Sequence, residues 1–294
     1  MKLDIETVKQ QARPWLPTTG WRKYGYAKEA PSVWKGEYDG RATDIDVVDA
    51  RDLDLASFRE RYENTFQPVV LTGLSDDWEA RQTWEPSALA NSHLGSCDFD
   101  VGDEDVVKMD LSSYLAYASA TDDDAPLYIF DAHYGERHPE MLQHYSVPEL
   151  FTEDYLKYLS SSPMLRPDYR WFLVGCERSG FWIHRDPFYT SAWNALISGT
   201  KRWVLFPPET SEALLHDGCD SSHGSDGEAG CEELPQEAVQ KERAASHWFA
   251  KVYPRVVQRR EELGMVEFIQ QPGDVVYVPH QWWHIVMNTS LTKA

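Results

Sequence analysis

Trp171–Phe206 reads WFLVGCERSGFWIHRDPFYTSAWNALISGTKRWVLF, and the parity of its residues decides how the chain folds. In a β-strand side chains alternate faces, so residues i and i+2 project the same way. Apolar and aromatic neighbours favour a strand around His184 and Asp186. Both side chains then enter one cavity, and Arg185 faces away. An imidazole and a carboxylate so placed can chelate a divalent metal. A lone H-x-D is common, and a single histidine in an apolar run is usually structural, so the surroundings matter. Working outward, Thr190–Ile197 reads as a strand, Ser198-Gly199-Thr200 as a turn, and Lys201 opens the next strand. Pro272-Gly273-Asp274 turns into the strand Val275–Val278, and a later strand of the same all-β unit brings His284. Two histidines and one carboxylate on one face of a metal leave positions open for substrate and O2, the ligand set of non-haem Fe(II) oxygenases.

The 294 residues can hold one large domain or two small ones, and 42% hydrophobic residues with 12 Trp and 15 Tyr suffice for a sizeable core. No apolar run approaches the roughly 20 residues of a membrane span. Met1–Glu6 lacks the apolar block of a signal peptide, so the chain is expected to be soluble and not secreted. Cys97, Cys176, Cys219 and Cys231 are scattered and expected to be free thiols. The formal net charge of −20 disfavours direct nucleic-acid binding and would attract basic peptides. Solubility alone accounts for the charge equally well.

Residues 1–50 mix Pro, Gly and Trp and read as an N-terminal arm, with Ile5–Gln11 a short helix that Pro14 ends. Trp15, Trp21 and Trp34 are expected to pin it to a larger body. Residues 51–137 read as a helical and β region packed on the main core. Within it, Leu55, Phe58 and Tyr62 recur at helical spacing across Asp54–Asn64. Val69-Val70-Leu71 is a short buried strand, Trp78–Ala90 is helical, and Cys97–Val107 holds strands broken by the acidic turn Gly102–Asp105. Leu111–Ala118 is a helix capped by Asp110 or Ser112. Thr121–Asp124 is a loop, Leu127–Phe130 a strand and Pro148–Leu159 a helix. Residues 138–294 form the expected β core. Ser211–Gln240 has no Lys or Arg and eight acids, and reads as a solvated, disordered insertion at about 211–240. His216, Cys219, His223 and Cys231 fall there, in a spacing that fits no ordinary zinc pattern.

Together, IHRDPFYTSAWNALISGTKRWVLFPP (183–208), PLYIFD (126–131), QQPGDVVYVP (270–279) and QWWHIVMN (281–288) closely resemble the Jumonji-C oxygenases. ERYENTFQPVVLTG (60–73) and VPELFTEDYLKY (147–158) extend the likeness over roughly Asp52–Asn288. Within the family the likeness is to the lysyl hydroxylase and arginine demethylase branch. The resemblance implies a mainly β fold with flanking helices (α+β), a double-stranded β-helix or jelly roll of the cupin type. It implies Fe(II) held by His184, Asp186 and His284, with 2-oxoglutarate and O2 as cosubstrates. Lys201 matches the family's anchor for the distal carboxylate of 2-oxoglutarate, a charge-assisted bond. Asn194 matches a position near metal and cosubstrate, and the Tyr128 phenol one that contacts the cosubstrate carboxylate. Read from the residues alone, Lys201 is as well a surface lysine at a hairpin and Tyr128 a core tyrosine. Trp193, Trp203 and Trp283 are expected to wall the site against water or to be ordinary core aromatics. The family's reaction couples decarboxylation of 2-oxoglutarate, giving succinate and CO2, to hydroxylation of a C–H bond. The expected substrate is a lysyl side chain in a basic protein or peptide; arginine N-methyl demethylation uses the same oxidation. The resemblance implies a nuclear protein, with a cytoplasmic one as the alternative, and leaves a homo-oligomer open.

Two departures stand out. Relatives commonly carry Thr-Gly before the Ile of I-H-x-D, where this chain has Phe181-Trp182, so bulk is expected to narrow or reshape the pocket. Ten residues, Ile285–Ala294, follow His284. The last strand is therefore expected to be incomplete, with an open edge prone to pairing with another chain. Thr292 comes too early to equate with the family's carboxylate-binding threonine. A catalytically impaired binding module is thus the alternative to an active hydroxylase. Intact Lys201 and Asn194 favour 2-oxoglutarate chemistry over a cupin enzyme with another metal.

Overall fold

The computed structural model describes residues 4–29, 33–34, 44–102, 107–159, 166–217 and 243–294. Its strands are β1 (Asp46–Asp49), β2 (Val69–Thr72), β3 (Asp98–Val101), β4 (Val107–Asp110), β5 (Ile129–Asp131) and β6 (Phe172–Gly175). They continue as β7 (Ala192–Ala195), β8 (Lys201–Phe206), β9 (Val266–Gln270), β10 (Val275–Val278), β11 (Trp283–Asn288) and β12 (Thr292–Lys293). The strands form three sheets, ordered β1-β2-β10-β7, β11-β8-β9 and β12-β6-β5-β3-β4. Every pairing is antiparallel except β1 with β2.

The first two sheets bury a common interior. Val70, Val276 and Val278 from one meet Trp203, Leu205 and Phe268 from the other. Alternation sends the intervening residues outward. Val69, Leu71, Val275 and Tyr277 join a large cluster with the helices Pro86–Asn91 and Leu111–Ala120. Val204, Phe206, Ile285 and Met287 pack instead against the helix Ala245–Lys251. Central strands are therefore covered on both faces, and KRWVLF and VVYV are buried along their whole length. This is the jelly-roll arrangement, with helices outside it. The two cations opening β8 go opposite ways. Arg202 turns outward to a buried pair with Glu267, its Nε donating at 2.7 Å, and Lys201 turns inward.

The acidic loop Thr121–Asp124 anchors the N-terminal arm. Helix Ile5–Ala12 starts where the Asp4 carboxylate accepts the Thr7 N–H. The buried Lys9 ammonium pairs with Asp123 at 2.9 Å and lies 4.5 Å from the centre of the Trp21 ring. Asp124 accepts the backbone N–H groups of Tyr24 and Tyr26 at 2.6 and 2.7 Å. Trp21 and Trp34 are buried, and Trp15 partly so.

Several expected elements differ. Asp54 caps a helix over Leu55–Phe58 that widens into a π-turn at Arg59–Glu63. Pro148–Leu159 is not one helix but two 3₁₀ turns, Glu149–Phe151 and Tyr155–Leu159. Thr152 and Asp154 side chains bond to nearby backbone there, which competes with a continuous helix. The acidic insertion begins as a helix, Glu212–Asp217, because Leu214 and Leu215 are buried beside Trp248. Residues 218–242, with Cys219, His223 and Cys231, lie outside the described residues, as do 103–106 of the acidic turn. β12 pairs with β6 at Gly175 and Val174, and Lys293 also bridges Ser198. The edge expected to lie open is paired at these residues. Thr292 Oγ1 donates to Asn288 Oδ1 at 2.7 Å. Among the described residues, no helix is long and apolar enough to cross a membrane.

Candidate metal centre

His184 and His284 face each other across an isolated antiparallel bridge, with reciprocal backbone hydrogen bonds of 3.0 and 2.9 Å. Directly opposed residues of this kind carry their side chains on one face. Their ring centroids are 4.2 Å apart. In each ring Nδ1 donates to the carbonyl two residues back, to Trp182 at 2.7 Å and to Trp282 at 3.1 Å. That fixes the tautomer and leaves each Nε2 lone pair available to a cation. Asp186 arrives by another route. H-x-D does not continue as a strand, because Pro187 has no N–H for a ladder and starts a 3₁₀ turn, Pro187–Tyr189. Asp186 stands at the cap of that turn, its Oδ1 3.9 Å from His184 Nε2 and 3.8 Å from His284 Nε2.

The three ligand atoms lie within 4.8 Å of one another, and among the described residues no other group of His, Cys, Asp and Glu comes together this way. Burial pushes His184 down to about 3, with His284 adding to the effect and Asp186 opposing it. Burial likewise pushes His284 down to about 4. The Asp186 carboxyl is raised by burial, with His184 opposing. Both imidazoles are thus neutral at pH 7, the form that ligates. Donors sharing one ion at about 2.0–2.2 Å stand up to about 4.4 Å apart, and the 3.9 and 3.8 Å separations of Asp186 Oδ1 from the two Nε2 atoms fall within that span for a borderline divalent cation.

Lys201 shares the inner face of β8 with Trp203 and Leu205 and is 4% exposed. Leu205 is opposite His284 and Lys201 opposite Asn288, which separates their levels by about 13 Å of strand. Among the described residues the ammonium has one hydrogen bond, a long one of 3.4 Å to Asn194 Oδ1. Burial pushes its pKa down to about 7. A buried amine with donors to spare is suited to an anion entering the barrel. Asn194 is itself braced, since Gln270 Nε2 donates to its carbonyl at 2.9 Å and Gln270 Oε1 accepts from Trp203 Nε1 at 2.8 Å. Gln270 is not among the residues that the sequence marks for the site. Its signal was a polar amide two residues on from Phe268 in β9, and so on the same inward face. Tyr128 is buried just ahead of β5, its ring edge-on to Phe130.

Residues 55–293 match the family described as the cupin-like domain. The chain is 36% identical over 298 residues to the bifunctional arginine demethylase and lysyl-hydroxylase psr-1 of Caenorhabditis briggsae, spanning 99% of this chain and 68% of that protein. The chain belongs to the cupin-like Jumonji-C family of oxygenases. It is also 34% identical over 242 residues to the arginine-specific demethylase JMJ22 of Arabidopsis thaliana, covering 82% of this chain and 43% of that one. To the 2-oxoglutarate and iron-dependent oxygenase JMJD4 of Gallus gallus it is 30% identical over 162 residues, 55% of this chain and 33% of that one.

The surroundings of the triad in this Jumonji-C oxygenase divide the three tryptophans between site wall and core aromatic. Trp203 packs near-parallel to His284, with centroids 6.2 Å apart. Trp283 adjoins His284 in β11 and so points the other way, into the outer cluster, with the Arg185 guanidinium 4.2 Å from its ring centre. Trp193 alternates with Asn194 and stacks outside on Phe151 at 5.6 Å. The bulky pair before His184 also divides. Trp182 is buried in the outer cluster, whereas Phe181 sets its ring at right angles to His184, 4.9 Å away. Phe181 alone of the two contacts the triad in this way.

Proposed function

We propose that this oxygenase hydroxylates lysyl side chains of basic proteins, using Fe(II), 2-oxoglutarate and O2. The observation that carries the reading is the buried Lys201 ammonium inside the same barrel as the triad, close to Asn194 and short of acceptors. A metal site alone has no use for it; a dicarboxylate has. His184, Asp186 and His284 would hold the iron, which when bound supplies the oxidising chemistry with O2 and 2-oxoglutarate. Lys201 binds the distal carboxylate of the cosubstrate, and Asn194 and Tyr128 orient it. Trp203 keeps the His284 ring in plane and water away from the cavity. The bifunctional names of the worm relatives and the net charge of −20 support a basic protein substrate, with nuclear proteins as the expected pool. Arginine demethylation is the second reading, supported by the likeness to an arginine-specific demethylase.

The test is succinate formation from 2-oxoglutarate with Fe(II), with and without lysine-rich and methylarginine-bearing peptides, followed by mass spectrometry of the peptides. Lysine plus one oxygen supports hydroxylation, and loss of methyl from arginine supports the second reading. Succinate formation no higher than that of Asp186→Ala would sink both.

A further inference from the structure

The turn after Asp186 is unusual in two independent ways. Phe188 and Tyr189 are 70% and 74% exposed. Both also adopt left-handed backbone, with φ of 58° and 56°, a region bulky side chains rarely enter. Exposed aromatics gain nothing from the core, and strained turns of this kind cluster where a protein handles a ligand. The turn is fastened at both ends to the site. Asp186 precedes it, and Thr190 closes it, its N–H and Oγ1 both donating to the Pro187 carbonyl at 3.2 and 2.9 Å. The next residue, Ser191, accepts the His280 N–H at 3.0 Å, which ties the turn to the loop leading to His284. Two more exposed aromatics touch these elements. Phe181 stands edge-on to His184, and Phe66, 47% exposed with φ of 52°, stands edge-on to His280 at 4.7 Å.

Four exposed rings on the turn after Asp186 and on the elements beside it, in a chain of net charge −20, have one occupant that fits both features. Aromatic faces attract Lys and Arg side chains, and an acidic protein draws in the peptide that carries them. The neighbouring Arg185 already lies on the Trp283 ring and donates to Gln281 Oε1 at 3.4 Å. We infer that Phe188 and Tyr189 form a substrate dock. They would hold, by cation–π stacking, a Lys or Arg neighbouring the residue presented to the triad, with Phe181 as the inner wall of that path. This rests on the proposed function for the nature of the substrate, and it assigns selection for a second cation to the turn.

The experiment measures binding, so it does not depend on turnover. Fluorescence anisotropy of a labelled Lys/Arg-rich peptide would be compared in wild type, in Phe188→Ala/Tyr189→Gly and in Phe188→Tyr/Tyr189→Phe. Glycine suits the left-handed position, so the first variant should keep the wild-type melting temperature. Its peptide Kd should rise at least ten-fold, and the aromatic swap should restore it to within three-fold. A peptide with all but one Lys replaced by Gln should bind wild type and the first variant alike. Equal Kd for the basic peptide in wild type and the folded first variant would overturn the dock. Equal loss for the Gln peptide would overturn the cation–π basis. Succinate formation by wild type separately decides the proposed function.

Discussion

Lys201 is placed where its charge is unwelcome until an anion arrives. Burial pushes its pKa down to about 7, against an ordinary value of 10.5. Between those values the unfolded chain holds more protons at this residue than the folded one, so its burial penalty weakens as pH rises through the window. If the same group anchors the cosubstrate, as proposed, binding carries a proton signature. A carboxylate bound at Lys201 requires the ammonium, so 2-oxoglutarate should take up close to one proton at about pH 8 and little at about pH 6. Calorimetry in buffers of different ionisation heat reads this directly. Lys201→Met should abolish the uptake and cost about 1.5–3 kcal/mol of cosubstrate affinity, the range for a hydrogen bond to a charged group. Uptake that persists in Lys201→Met would assign the proton to another residue.

At the scale of elements, the loop carrying Asp123 and Asp124 organises the arm. Asp124→Ala would strand the backbone N–H groups of Tyr24 and Tyr26, and Tyr26 is buried against Trp34 and His247. The expected loss is about 1.5–3 kcal/mol, read as a lower urea midpoint at unchanged m-value, with Asp124→Asn losing less. An unshifted midpoint would mean that the arm is held elsewhere. Nothing in the run of acids distinguished an anchor from a solvated loop, because its partners lie about a hundred residues away, as with Tyr24 at a separation of 100. Val275–Val278 and the start of β8 were legible because turn residues bound runs that are buried on both faces. The coming together of His184, Asp186 and His284 was legible as well, though not by the expected route. The expected strand holds both His184 and Asp186, whereas Asp186 instead caps the turn that starts at Pro187. Strand parity, applied to β11, would have sent Trp283 away from His284, since neighbours in a strand cannot share a face. Phe151 ends a 3₁₀ turn rather than continuing a helix because side-chain bonds at Thr152 and Asp154 compete with the helix, and apolar spacing carries no sign of those bonds.

At the scale of the whole molecule, charge is the property that solubility and substrate capture both explain, and the two explanations separate in kinetics. A net charge of −20 produces a long-range attraction for a cationic peptide, one that counterions screen over about 10 Å at 0.1 M salt. Steering of this kind acts on the encounter rate, whereas contacts formed after docking set the dissociation rate. Stopped-flow binding of a Lys/Arg-rich peptide should therefore slow by about ten-fold or more in kon between about 20 and 300 mM NaCl, while koff changes by less than about three-fold. The acidic segment supplies an internal control. Removing Gly218–Gln240 deletes six Asp and Glu and no Lys or Arg, so the net charge goes from −20 to −14. If those acids act through the field, the deletion lowers kon at low salt and has no effect at high salt. A deletion that lowers kon equally at both salt concentrations would mean that the segment touches the peptide. A kon independent of salt in the intact chain would leave the negative charge to solubility alone.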